Sequence, residues 1–119
     1  MNEHYNSPIY CNYTFHNCFN LKTISFPETV TLSLAGYTQT FSNCSKLENL
    51  IIGHIGPVGH ISYAGFDSCT SLTLSSLQNI LNALPETTTN YNCKLGTTNL
   101  AKLSDTDIQI ATDKGWTLN

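Results

Sequence analysis

The sequence predicts an α/β chain in which a short solenoid of small parallel strands over 10–74 is closed by a C-terminal cap of two helices and short strands over 75–119. The whole, 1–119, forms one domain. Three observations predict this. A Phe-x-x-Cys-x-x-Leu pattern returns at Phe15, Phe41 and Phe66, at steps of 26 and 25 residues. Apolar residues then follow on alternate positions, Ile24 and Phe26 in the first copy and Leu50 and Ile52 in the second. After Leu74 the apolar period changes to that of a helix.

The repeat comes first because self-similarity at a fixed step decides the architecture. Its inward positions are Phe15, Cys18, Leu21 and Ile24, then Phe41, Cys44, Leu47 and Leu50, then Phe66, Cys69 and Leu72. On a short strand successive side chains point to opposite faces, so Ile24 and Phe26 go in while Ser25 goes out. One such turn cannot bury its apolar face alone, but stacked turns can. The outward residues, Thr23 and Ser25, Asn49 and Ile51, and Thr73, then form one candidate binding face. Ile51 is the apolar exception there, either a contact residue or a sign that the cap covers it.

The Phe-x-x-Cys-x-x-Leu-x-x-Ile core, Pro27 after the strand, and a Val-Thr or Ile-Ser step before the next Phe together resemble the BspA-like type of leucine-rich repeat over Tyr10 to Leu74. The second copy departs by having Gly53 where the first has Pro27, and the third breaks off after Leu74. The resemblance implies a short leucine-rich repeat solenoid that is not an enzyme and needs no cofactor. It implies a protein-interaction or adhesion module, the C-terminal part of a surface protein. The location would be the bacterial cell surface or the secreted fraction, and the partner a host matrix or cell-surface protein. The tail "LAKLSDTDIQIATDKGWTL" resembles the segment that closes many BspA-like proteins of gut bacteria and their phages, so a phage tail or virion-associated component is the alternative.

Within the cap, Ser75 with Gln78 reads as a capping box. Leu77, Ile80, Leu81 and Leu84 follow at helical spacing, and Pro85 ends that helix. Tyr91, Cys93 and Leu95 alternate as a buried strand. A second helix starts at Ser104, with Asp105 and Asp107 in its first turn, where acids are favourable, and Leu103 and Ile108 are spaced for a hydrophobic staple. Gly115 fits a left-handed C-terminal position, and Trp116 follows to pack back. At the opposite end Ile9, Tyr10, Tyr13 and Phe15 precede the first full copy without a capping element. Further repeats are expected before Met1, or self-association of two copies through that end.

Composition narrows the function. The chain is 40% hydrophobic with only 11% charged residues and a net charge of −3, so nucleic acid is not an expected partner. No apolar run approaches the roughly 18 residues of a membrane span. The first twenty residues lack a signal-peptide pattern, as expected of a piece of a longer protein or of one not exported by that route. Five cysteines, Cys11, Cys18, Cys44, Cys69 and Cys93, are an odd, widely spaced set, unlike a disulfide scaffold. In stacked turns equivalent side chains lie parallel and do not converge, which disfavours metal and disulfides, so the thiols read as small internal hydrophobes. "GHIGPVGHI", with His54 and His60, reads as a loop between repeats, and His4 and His16 have no visible company. No Gly-x-Ser-x-Gly and no base beside a nucleophile is present, and Asp105, Asp107 and Asp113 read as capping and solvation. Sequons occur at Asn12 and Asn43, the second beside a cysteine expected to be buried.

Overall fold

The computed structural model describes residues 8–10, 15, 17–33, 41, 43–56, 63–88 and 90–119. These residues hold eight short strands and three helices. In order they are β1 (Pro8–Tyr10), β2 (Thr23–Ser25), β3 (Thr31–Ser33), β4 (Asn49–Ile51), β5 (His54–Ile55), β6 (Tyr63–Gly65), α1 (Leu74–Ala83), β7 (Tyr91–Lys94), α2 (Gly96–Leu100), α3 (Asp105–Asp113) and β8 (Trp116–Leu118). Three sheets form, β1-β3-β5, β2-β4 and β6-β7-β8, and every pairing in them is parallel. A parallel neighbour has to be reached by a crossover, and here each crossover is one circuit of the chain. Ile24 therefore lies opposite Leu50, Leu32 opposite Ile55, and Cys93 opposite Leu118.

The spacing of three has a physical cause. The Cys44 N–H bonds the Phe41 carbonyl at 3.2 Å and the Leu47 N–H bonds the Cys44 carbonyl at 3.1 Å; the same pair of bonds recurs at Phe15, Cys18 and Leu21 and at Phe66, Cys69 and Leu72. Such i→i+3 bonds bring side chains three apart into line, so phenylalanine, cysteine and leucine face the core together. Asn17 and Asn43 sit in this turn at φ 63° and 64°, the left-handed region that Asn tolerates better than most residues. Phe41 stacks between Phe15 and Phe66, with ring centroids 5.7 and 5.6 Å away. Ile24, Leu32, Phe41, Cys44, Leu47, Leu50, Ile52, Phe66, Cys69 and Leu72 are buried, while Phe15, Cys18 and Leu21 are half-buried against them. Of the residues expected at an open N-terminal end, Phe15 is described; the side chains of Ile9, Tyr10 and Tyr13 lie outside the described residues.

The cysteines are more than small hydrophobes. The Cys44 thiol donates to the Phe15 carbonyl one turn back at 2.9 Å, and the Cys69 thiol to the Phe41 carbonyl at 3.4 Å. In the next turn Leu95 takes the phenylalanine position, because Gly65 pairs with Lys94. Asn99 of α2 there takes over the donor role, its side-chain amide reaching the Phe66 carbonyl at 3.4 Å and the Cys69 carbonyl at 3.1 Å. The helix α2 is absent from the sequence-based expectation of two helices. Other side chains follow the same direction, Asn43 to Asn17, Lys46 to Asn20, Ser71 to Ser45, Lys102 to Thr70 and Leu72, and Trp116 to Pro85. The direction is not uniform: Gln78 donates forward to Asp107, and the Asn43, Leu50 and Ile52 N–H groups donate forward to Ser68, Ser76 and Asn79.

Where the third copy should form a strand, the chain turns into α1. Aligned on the leucines, Ser75 falls where Ile24 and Leu50 point inward, so a strand here would place a hydroxyl in the core, a costly choice. The Thr73 N–H still bonds the Glu48 carbonyl as a third strand would, and then the helix begins. The expected Ser75–Gln78 capping box is not what starts it. Thr73 is the N-cap, its side chain accepting from the Ser76 N–H, and Ser75 is already inside the helix. Leu77, Ile80, Leu81 and Leu84 are buried. "GHIGPVGHI" is corrected in part, since His54–Ile55 form β5 rather than a loop.

At the C-terminal side, Ser104 and Asp107 form a reciprocal capping box on α3. The Ser104 backbone N–H, followed by the Gln78 amide, holds the Asp107 carboxyl below its ordinary value. A depressed carboxyl stabilises the fold above its unfolded pKa of about 3.9, and that contribution disappears as pH falls through the lower folded value. Asp107→Asn is therefore expected to lower the melting temperature at neutral pH, and the gap to the parent should close in acid, where both side chains are neutral. A gap that stays constant down to the acid limb would show that the charge plays no part. Gly115 has φ 90° with the Thr87 carbonyl directly where a Cβ would sit, so only glycine fits. The Lys114 ammonium donates to the last carbonyls of α1, at Leu81 and Asn82. Trp116 packs edge-on against Tyr91.

Candidate interaction surface

The register of β2 and β4 pairs Thr23 with Asn49 and Ser25 with Ile51, and all four side chains point away from the core. Because each strand repeats its neighbour, these side chains lie in two parallel rows on a backbone fixed by hydrogen bonds. The Asn49 amide reaches the Thr23 hydroxyl at 3.5 Å. Thr73, the fifth residue expected on this face, is exposed but belongs to no strand; its hydroxyl is committed to starting α1.

Ile51 is 48% exposed at the C-terminal end of β4, the last residue of this face. α1 packs beside β4 and does not cover it, so of the two readings of Ile51 coverage by the C-terminal segment does not hold. Beside it a depression of about 290 Å³ is lined by Phe26, Glu28, Ile51, Gly53, Asn79 and Asn82, among others. The depression belongs to the seam between the C-terminal ends of the strands and α1. Sequence reasoning placed Phe26 and Gly53 in the repeat but had no signal for Asn79 and Asn82, which come from a helix about 26 residues later. Other exposed large apolar side chains are Phe19 at 56% and Leu74 at 43%.

The thiols present a different picture from the surface. Cys44, Cys69 and Cys93 are fully buried and Cys18 is half-buried, and all four are free thiols. Burial pushes the Cys69 and Cys93 thiols up to about 12, with the neighbouring Cys44 and Asp67 adding to the effect at Cys69, and burial also raises Cys44. A thiol so raised holds almost no thiolate, the reactive form. Among the described residues no three His, Cys, Asp or Glu side chains gather where a metal could be held. Asp107 is engaged with Ser104 and Gln78, and Asp113 with Gln109. Cys11, His4, His16, His60 and the Asn12 sequon lie outside the described residues. Asn43, of the second sequon, is exposed while Cys44 beside it is buried.

The stacked turns, their phenylalanine and cysteine rows and the parallel strands agree with a family comparison. The family description "BspA type Leucine rich repeat region (6 copies)" matches residues 7–111. The chain belongs to the BspA-type leucine-rich repeat family. No curated protein and no solved structure matched it. The match runs past Leu74 into α3, over the turn in which Leu95 and Asn99 replace phenylalanine and cysteine. Membership in the BspA-type family points to a module for protein–protein interaction, of a kind typically found at the surface or secreted. No helix among the described residues is long and apolar enough to cross a membrane.

Proposed function

We propose that this chain is a non-catalytic adhesion module, a short solenoid with repeats over 10–74 and a closing segment over 75–119. Its β2–β4 face binds a protein partner at a bacterial surface, a host matrix or cell-surface protein. Thr23, Ser25, Asn49 and Ile51 supply the contacts, and Thr73 borders them. The observation that carries this reading is Ile51, a large apolar side chain left exposed on a rigid sheet beside a depression floored in part by Phe26. A few side chains carry most of the energy of an interface, and Ile51 is the large apolar one on this face. The Cys69 and Cys93 thiols, pushed up to about 12 by burial, hold almost no nucleophilic thiolate, which favours binding over catalysis.

The test is binding of the purified chain to a panel of immobilised host matrix proteins by surface plasmon resonance. The parent should bind at least one of them, and Ile51→Asp should weaken that binding by about tenfold or more, a loss of about 1.4 kcal/mol, with an unchanged melting temperature. Binding that survives Ile51→Asp together with Asn49→Arg would move the site off this face. Failure of the parent to bind any of the panel would reject the adhesion reading.

A further inference from the structure

The β2–β4 sheet ends at two strands because a helix stands where a third strand would be. On β4 the backbone groups alternate between two sides. The Asn49 N–H and the Ile51 carbonyl bond β2 and its flanks, at Lys22 and Phe26. The Glu48 carbonyl and the Leu50 and Ile52 N–H groups face the other way, toward α1. There the buried Ser76 hydroxyl accepts from the Leu50 N–H at 3.0 Å and donates to the Glu48 carbonyl at 2.9 Å. The Asn79 side-chain oxygen accepts from the Ile52 N–H at 2.7 Å. Two side chains of one helix thus take the hydrogen bonds that a parallel strand would otherwise take. An open strand edge is a template for pairing with another chain.

The other edge of this sheet is built to match. Lys22 and Phe26 bond β4, so the alternation of a parallel ladder turns the backbone of Thr23 and Ser25 away from β4. Among the described residues no strand pairs with that side of β2. The free side of β2 is what a third parallel strand would offer to β4, in the register the molecule already uses between its own β2 and β4. We propose that α1 is an edge plug that keeps β4 from pairing with β2 of a second copy of the chain. Such a contact joins two different edges, a heterologous arrangement that builds open-ended assemblies unless its rotation closes a ring. Taking away Ser76 and Asn79 leaves the Leu50 and Ile52 N–H groups buried without acceptors, the costly state that a strand from another copy relieves.

The full chain carrying Ser76→Ala and Asn79→Ala tests this by sedimentation velocity and backbone hydrogen exchange. The parent should sediment as a monomer. The double variant should exchange its Leu50 and Ile52 amides at least about tenfold faster at dilutions where it is monomeric, and form larger species that grow with concentration. Adding Thr23→Pro removes a donor from the free side of β2 and should return the double variant to monomer. A double variant that stays monomeric with those two amides exposed overturns the proposal, as does association that persists with Thr23→Pro. So does a parent that already associates. Should the double variant lose its helical signal, Asn79→Ala alone, which leaves the buried Ser76 in place, is read in the same way.

Discussion

Phe41→Ala should destabilise the fold by about 3–5 kcal/mol, the range for removing a fully buried phenylalanine. Phe41 is 1% exposed and lies between two other rings. The truncation therefore opens a void in the centre of a stack, and Phe15 and Phe66 both lose a face. The neighbouring turns cannot close the gap, because their spacing is held by backbone bonds between parallel strands. In a chain of this length the loss should appear as a drop of roughly 10–20 °C in melting temperature. Phe41→Leu removes less volume and should recover most of it, since Leu95 already fills the matching position of a later turn. Equal losses for the two substitutions would show that ring stacking, rather than volume, fixes this row.

Asn99→Ala is the second large effect, about 2–4 kcal/mol. Asn99 is fully buried, and its two amide hydrogens are shared among the carbonyls of Phe66, Cys69 and Leu95, while its oxygen accepts from the Lys102 ammonium. The alanine leaves three buried carbonyls without this donor and loosens the lysine that bridges to Thr70 and Leu72. Asn99→Leu separates the causes, because it keeps the volume and loses the bonds. A leucine variant as stable as the parent would show that the polar contacts add nothing. Asn99→Cys returns one donor in the manner of Cys44 and Cys69, and a partial recovery is expected. Chemical denaturation of the four proteins measures all of this.

The parts of the fold that were legible in the sequence are those set by local geometry. Phenylalanine, cysteine and leucine three apart announce a turn of i→i+3 bonds, and alternation at Ile24–Phe26 announces a strand. Ser104 with Asp107, and Gly115 before Trp116, carry their structural meaning within a few residues. What stayed hidden depends on partners a whole circuit away. Ser76 and Asn79 look like ordinary helix residues until β4 lies beside them. Asn99 gives no apolar signal, and a five-residue helix gives almost no periodicity. The strands β3 and β5 are too short to alternate convincingly. Ser75 reads as the start of a capping box, and its bearing on the missing strand shows only when it is aligned with Ile24 and Leu50. The candidate face was legible at Thr23, Ser25, Asn49 and Ile51. Thr73 was misplaced because its backbone follows the strand pattern for one residue and its side chain then starts a helix.

The backward direction of one set of side-chain bonds bears on how such a chain comes off the ribosome. Cys44, Asn43 and Lys46 donate to groups of the preceding turn, Cys69 and Ser71 to the turn after that, and Asn99, Lys102 and Trp116 continue the series. For these bonds the accepting residues are made first during synthesis, and each new turn emerges carrying the donors that fit them. The Leu50 and Ile52 N–H groups run the other way and wait for Ser76 and Asn79 of α1. A chain made only through β4 therefore leaves two N–H groups without acceptors, which tolerate a missing partner less well than carbonyls do. β4 is complete only once α1 has been made.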